Sequence, residues 1–252
     1  MAPEATLSHL HRADGSATYT HHGYCVIGAV NGPIEVLRRD EMPEEATVEV
    51  NVRPAVGVGS PRERHLETLL HNTLRSIILT RSIPRTLVQI TLQVRSLPEE
   101  ETSIGVNTTL SLLPHLLHTA LLALLSASIP LSTTLTSVLV AKPLANSSKA
   151  STPLLSPTAN DLLRSKPIRS VHVFAYSGEG DLILNESDGS FSYDEWEEAA
   201  ELAEEVCCKE DGGVDLGEGM QVDGREGQNL GNWLRTVIQN KVQHEQRWKL
   251  AR

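Results

Sequence analysis

The chain has 252 residues, of which 40% are hydrophobic and 21% charged, and a formal net charge of −10. That length and balance describe a globular chain with enough core to fold without disulfide or metal staples. Cys25, Cys207 and Cys208 show no framework or CxxC spacing, which fits a reducing compartment, and residues 1–22 hold no apolar run that would read as a secretory signal.

Residues 13–31 are expected to form two short strands. Asp14-Gly15-Ser16 opens the first, His21-His22-Gly23 turns into an apolar run, and Asn31-Gly32-Pro33 ends that run as a turn. Residues 47–52 alternate, with Val48, Val50 and Val52 against Glu49 and Asn51, the period of a half-buried strand. The next element is the clearest helix. Ser60 is placed to cap it, Pro61 takes its first position, and Glu63 falls three residues after the cap. Leu66, Leu69, Leu70, Leu74, Ile77 and Ile78 form one apolar stripe, with Arg64, Glu67, His71 and Arg75 outside it. Ile83-Pro84 stops the helix and residues 87–94 return as a strand.

A leucine-rich helix over about residues 109–128 is apolar on most sides, so it is expected between two layers; Pro114, His115 and His118 argue for a core helix over a membrane span. Strands are expected at 134–141 and 168–176, and a hairpin turn at 177–181 leads into 182–184. A final helix begins near Tyr193, pauses at a glycine-rich acidic insert over 208–231 that reads as a disordered surface loop, and resumes at 233–250. This order predicts a single α/β (α+β) domain over residues 1–252, with mixed sheets packed against helices.

The acidity is local. Residues 186–226 carry fifteen acidic and two basic side chains, whereas residues 53–95 hold seven arginines (53, 62, 64, 75, 81, 85 and 95) against Glu63 and Glu67. A basic surface can therefore survive in an acidic chain. The run Gly57-Val58-Gly59-Ser60-Pro61-Arg62 leads into a helix start, where free N–H groups attract anions, although it lacks the third glycine of a dinucleotide fingerprint. His9, His11, His21 and His22 have no carboxylate or thiol companions at ligand spacing, so no metal site is expected. His115 and His118 read as satisfied histidines at the core edge. Glu195, Glu197, Glu198, Glu201, Glu204 and Glu205 read as a solvated helix face, and Cys207-Cys208 as incidental. No nucleophile elbow, Walker loop or HExxH motif occurs.

Taken in order, several segments resemble the RNase PH family of phosphate-dependent 3′→5′ exoribonucleases, and within it the non-catalytic ring subunits of the eukaryotic RNA exosome. They are Asp14-Gly15-Ser16-Ala17 with the strand after it, Asn31-Gly32-Pro33-Ile34-Glu35, Val52-Arg53-Pro54-Ala55-Val56-Gly57, the arginine-bearing helix from Arg62, and residues 84–91. Ser156-Pro157-Thr158 and Asp188-Gly189-Ser190-Phe191 add weaker matches, so the resemblance covers about residues 10–205. It implies a ribosomal protein S5 domain 2-like fold and a ring built with other RNase PH-like subunits, cap proteins and separate catalytic nucleases. It also implies RNA as a partner, and residence in the nucleus, nucleolus and cytoplasm.

The family's chemistry needs arginines on the RNA backbone, a Gly-Thr-Arg turn for phosphate and an acidic pair for a metal. By the resemblance Arg62 matches a family arginine, but Ser111-Leu112-Leu113 stands in the Gly-Thr-Arg place. Ser156 takes the first acidic position, and the second falls near Leu162 beside Asp161. The expectation is a chain without catalytic residues, bound metal or cofactor, contacting RNA through Arg62, Arg64, Arg81 and Arg85. The competing expectation is a residual metal-dependent nuclease acting on RNA or DNA through Asp161 or another carboxylate, as a homodimer.

Overall fold

The computed structural model describes residues 3–98, 108–144, 153–165, 167–208 and 230–250. The first sheet holds β1 (Glu4–Leu7), β2 (Gly15–His21), β3 (Tyr24–Glu35), β4 (Thr47–Arg53) and β5 (Thr86–Ser96), in the order β1-β2-β3-β5-β4. All pairings are antiparallel except β4 with β5, which is parallel because α1 (Pro61–Ile77) makes the crossover between them. After α2 (Thr108–Ser126), the second sheet is built from β6 (Leu135–Pro143), β7 (Leu154–Leu155), β8 (Ile168–Ser177) and β9 (Leu182–Gly189), in the order β7-β6-β8-β9. The short helix α3 (Ala159–Arg164) follows β7, and α4 (Tyr193–Cys208), α5 (Leu230–Glu245) and α6 (Arg247–Leu250) complete the order.

α2 lies between the sheets, touching β2 and β3 on one side and β6 and β8 on the other. Every residue from 109 to 124 is buried, so an all-round apolar helix is what this position demands. By length and composition Thr109–Ser126 could cross a membrane, but 94% of it is buried inside the domain, as the sequence led us to expect. β6 and β8 are likewise covered on both faces. Leu139, Ala141, Val173 and Ala175 face α2, while Val138, Val140, Phe174 and Tyr176 form a second cluster with Ala199, Ala203 and Cys207 of α4. Lys142 fastens α4 to this sheet through Glu198 (2.8 Å) and Glu195 (3.7 Å), and Arg169 adds a 2.6 Å bond to Glu195. Part of the glutamate run is thus a clamp rather than a purely solvated face.

α1 starts as expected. Ser60 and Glu63 form a reciprocal capping box, and Pro61 opens the helix. Leu66, Leu70, Leu74 and Ile77 are buried while Leu69 is half-exposed. The helix ends at Ile77, earlier than Ile83-Pro84, because Ile78 turns extended and bridges Leu131. Replacing Ser60 with alanine removes the bonds its hydroxyl makes to the Arg62 amide and the Glu63 carboxylate and should lower stability by about 1 kcal/mol, measured by urea denaturation.

Three expectations need correcting. Asn31-Gly32-Pro33 is not a turn: β3 runs through it to Glu35, with an irregular register and a cis Gly32–Pro33 bond. The N-terminal segment contributes an edge strand, β1, and Ala159–Arg164 forms a helix the periodicity did not signal. The acidic insert lies largely outside the described residues, although Cys208 and Gly231 at its two ends are helical.

Candidate functional site

The seven arginines do not share one surface. α1 has 17 residues and so spans about 25 Å, which separates its two ends. At its start, Arg62 and Arg64 are exposed, and exposed Arg53 and Arg95 lie at the ends of the neighbouring strands β4 and β5. At its finish are Arg75, Arg81 and Arg85, all of which meet carboxylates from the segment before β4. Arg75 reaches Glu45 at 3.0 Å, Arg81 reaches the same group at 3.7 Å, and Arg85 reaches Glu41 at 3.5 Å. The basic excess of residues 53–95 is therefore offset at this end by acids outside that window.

The other end keeps its positive character. Arg62 Nε donates to Thr109 Oγ1 at 2.6 Å, which ties the start of α1 to the start of α2. Arg64 bonds Glu67 at 3.0 Å, and the second oxygen of Glu67 accepts the amide of Val52 at 2.9 Å, yet the Arg64 side chain stays 80% exposed. Burial pushes the Glu63 carboxyl up, but the bonds from Ser60 and the Arg62 charge outweigh it and hold the group below its usual range. The preceding loop projects, with Val56 90% and Val58 93% exposed.

Behind this surface is a hollow of about 50 Å³, lined by Val52, Pro54, Leu66, Leu97, Leu112 and Arg62 among others. It has room for one or two water molecules and is too small for a nucleotide, whose sites run to about 300 Å³ or more. Leu112 and Leu113 are buried inside α2, with Ser111 also buried beside them. Ser156 sits at positive φ before α3, and Leu162 is buried. Asp161 accepts from the backbone and hydroxyl of Thr158 (3.1 and 2.7 Å), so it caps α3, and those two bonds lower its pKa. Among the described residues no group of three His, Cys, Asp or Glu side chains is arranged to hold a metal.

The other resemblance residues have structural duties. Asp14 Oδ2 accepts the amide of Gly32 at 2.8 Å, and Ser16 Oγ accepts that of Leu10 at 3.0 Å. His115 and His118 depart from expectation. Both are buried within α2, and the Nδ1 of each lacks a hydrogen-bond partner. They join His21, His22, Tyr19 and Tyr24 in one aromatic cluster. Nothing local could reveal it, because its two halves lie about ninety residues apart in the sequence.

Comparison with known proteins places this architecture. The profile of the RNase PH domain (3′ exoribonuclease family, domain 1) matches residues 3–130. The budding yeast protein named exosome complex component RRP46 is 33% identical over 213 residues, spanning 82% of this chain and 91% of that protein. The fission yeast protein of the same name is 38% identical over 122 residues, 48% of this chain and 50% of that protein. The crystal structure of rice Rrp46 superposes with a TM-score of 0.70 at 22% identity over 94% of both chains. An Archaeoglobus fulgidus exosome chain, from a structure with RNA bound to the active site, gives 0.61 at 14% identity over 81% of this chain and 85% of that one. On the profile match and the yeast relationship together, the chain belongs to the RNase PH family.

Proposed function

We propose that this chain is a non-catalytic RNase PH-like ring subunit of an RNA exosome, which scaffolds the ring and guides RNA toward 3′→5′ processing and decay. The observation that carries the reading is the 33% identity to the yeast exosome component across 91% of that protein. Its partners in this reading are neighbouring RNase PH-like subunits, cap proteins, the associated catalytic nucleases and RNA. Its place is the nucleus and nucleolus as well as the cytoplasm.

The absence of catalysis is supported by chemistry. A phosphate attacking a phosphodiester brings two negative charges together, and turnover requires cations or donors to offset them. Buried Leu112 and Leu113 offer neither, and Asp161 already spends one oxygen on the cap of α3. RNA guidance is assigned first to Arg62 and Arg64, whose end of α1 is free of the Glu41 and Glu45 carboxylates, and only secondarily to Arg81 and Arg85.

Three measurements test this. Affinity purification of the tagged chain should recover other RNase PH-like subunits, and recovery of the chain alone would sink the ring assignment. In the assembled complex, Arg62→Ala with Arg64→Ala should weaken RNA crosslinking and flatten the salt dependence of RNA binding by about 1.4 in log–log slope, for two lost contacts to a single strand. The pure protein, given labelled RNA and DNA with Mg²⁺, Mn²⁺ or phosphate, should cut neither. Cleavage abolished by Asp161→Ala would establish the nuclease reading instead.

A further inference from the structure

We propose that Tyr19, His21, His22, His115 and His118 form an acid-sensitive latch, over which α5 closes only while the imidazoles are neutral. Among the described residues, the buried side-chain polar atoms without a hydrogen bond are Tyr19 Oη and the Nδ1 atoms of His22, His115 and His118. All four fall in this one cluster. Buried polar groups are normally partnered, so their concentration at one place marks a functional or strained site.

The rings are close. His21 and His22 have centroids 3.6 Å apart, His21 and His115 are 5.8 Å apart, and His118 meets Tyr19 edge-on at 5.5 Å. Tyr24 stacks on His115 at 4.5 Å. His118 Nε2 accepts the amide of Ser137 at 3.0 Å, so the neutral ring must carry its proton on Nδ1, the atom without a partner. A second proton on His115 or His118 would add a charge at a buried site, where it loses its hydration.

The surrounding charges agree. Against the cluster stand the phenols of Tyr19 and Tyr24, the imidazoles of β2, the β2–β3 turn and α2, and a single carboxylate, Asp161 of α3, near His22. Burial, joined by His22 and His118, lowers His21 to about 3; burial lowers His118 to about 4 and holds His115 well below its ordinary value. Because these values lie below that of a solvated histidine, about 6.5, the open form takes up more protons as the pH falls below that point. Closure is therefore complete above about pH 6.5 and is lost progressively toward pH 4.

α5 is the element that can yield. Its Trp233 meets the edge of Tyr19 at 5.8 Å, and its far half is mostly exposed, held to α2 by Lys241 Nζ on Ser126 Oγ at 2.8 Å. β2 and β3, by contrast, are held by neighbouring strands on both sides.

Hydrogen exchange of the purified chain at pH 7.5, 6.5 and 5.5, corrected for the intrinsic pH dependence of exchange, tests the latch. Protection of α5 should fall at least about fivefold between pH 6.5 and 5.5, the linkage of one proton whose open-form pKa is about 6.5, while β3 and β5 stay protected. His115→Phe should remove one proton's share of that fall, about fivefold between pH 6.5 and 5.5, and if that variant does not fold, His21→Phe at the cluster edge should do the same. Constant α5 protection across this range, or an unchanged fall in the variant that folds, overturns the proposal. So does zinc added at constant pH restoring the protection, which would make the cluster a metal site.

Discussion

Leu117→Ala is expected to lower the unfolding free energy by about 4 kcal/mol. Leu117 is fully buried near the middle of α2, in the layer between the two sheets. Its loss removes apolar surface from the core and leaves a cavity. Neither side can collapse into that space easily, because β2 and β3 on one side and β6 and β8 on the other are each fixed by their own ladders. The check is a urea titration. The midpoint should move down with little change in slope, since the surface exposed on unfolding hardly alters. Leu37, which is 76% exposed, provides the control: Leu37→Ala should stay within about 0.5 kcal/mol. Equal losses at the two positions would mean that α2 is not the shared centre of the fold.

Gly15→Ala is expected to cost about 3 kcal/mol, a large effect for a single added methyl group. A Cβ at Gly15 would lie 2.3 Å from the amide nitrogen of Ala127 and 2.5 Å from the carbonyl oxygen of Ala123. Both atoms are backbone at the end of α2, so relief requires the helix to move away from β2. Gly28 makes a useful contrast, because its nearest neighbour would be the Thr119 methyl at 2.9 Å, a side-chain atom, with backbone no nearer than the Thr119 carbonyl oxygen at 3.3 Å. Gly28→Ala should therefore be milder than Gly15→Ala in thermal or urea unfolding. The reverse order would show that α2 is not held as tightly against the start of β2 as its backbone contacts imply.

These two sites show how different features were encoded. α1 could be read because its signals are local: a cap, a proline, a glutamate three residues after the cap, and a stripe at helical spacing. α2, β6 and β8 announced two-sided burial by being apolar almost throughout. β1 and α3 escaped because segments of four and six residues are too short to display a period. The 31–33 turn was misjudged because the same Asn-Gly-Pro chemistry serves inside an irregular strand when β5 supplies the pairing.

The basic segment shows the boundary most clearly. By itself the sequence determined that arginines cluster in residues 53–95, that they lie off the apolar stripe of α1, and that their setting resembles the RNase PH family. Only the tertiary structure decided which of them remain available. The loop before β4 brings Glu41 and Glu45 against Arg75, Arg81 and Arg85 at one end of α1, whereas at the other end Arg62 and Arg64 are exposed and meet neither of those acids, Arg64 pairing with Glu67 instead. The same holds for the histidines, which are unremarkable pairs until the packing of α2 on β2 and β3 makes them one cluster, buried at His115 and His118 and half-buried at His21 and His22. The physical reason is one of range. Burial faces recur every two to four residues and can be read from a short window, whereas charge pairing and desolvation depend on groups that only folding brings together.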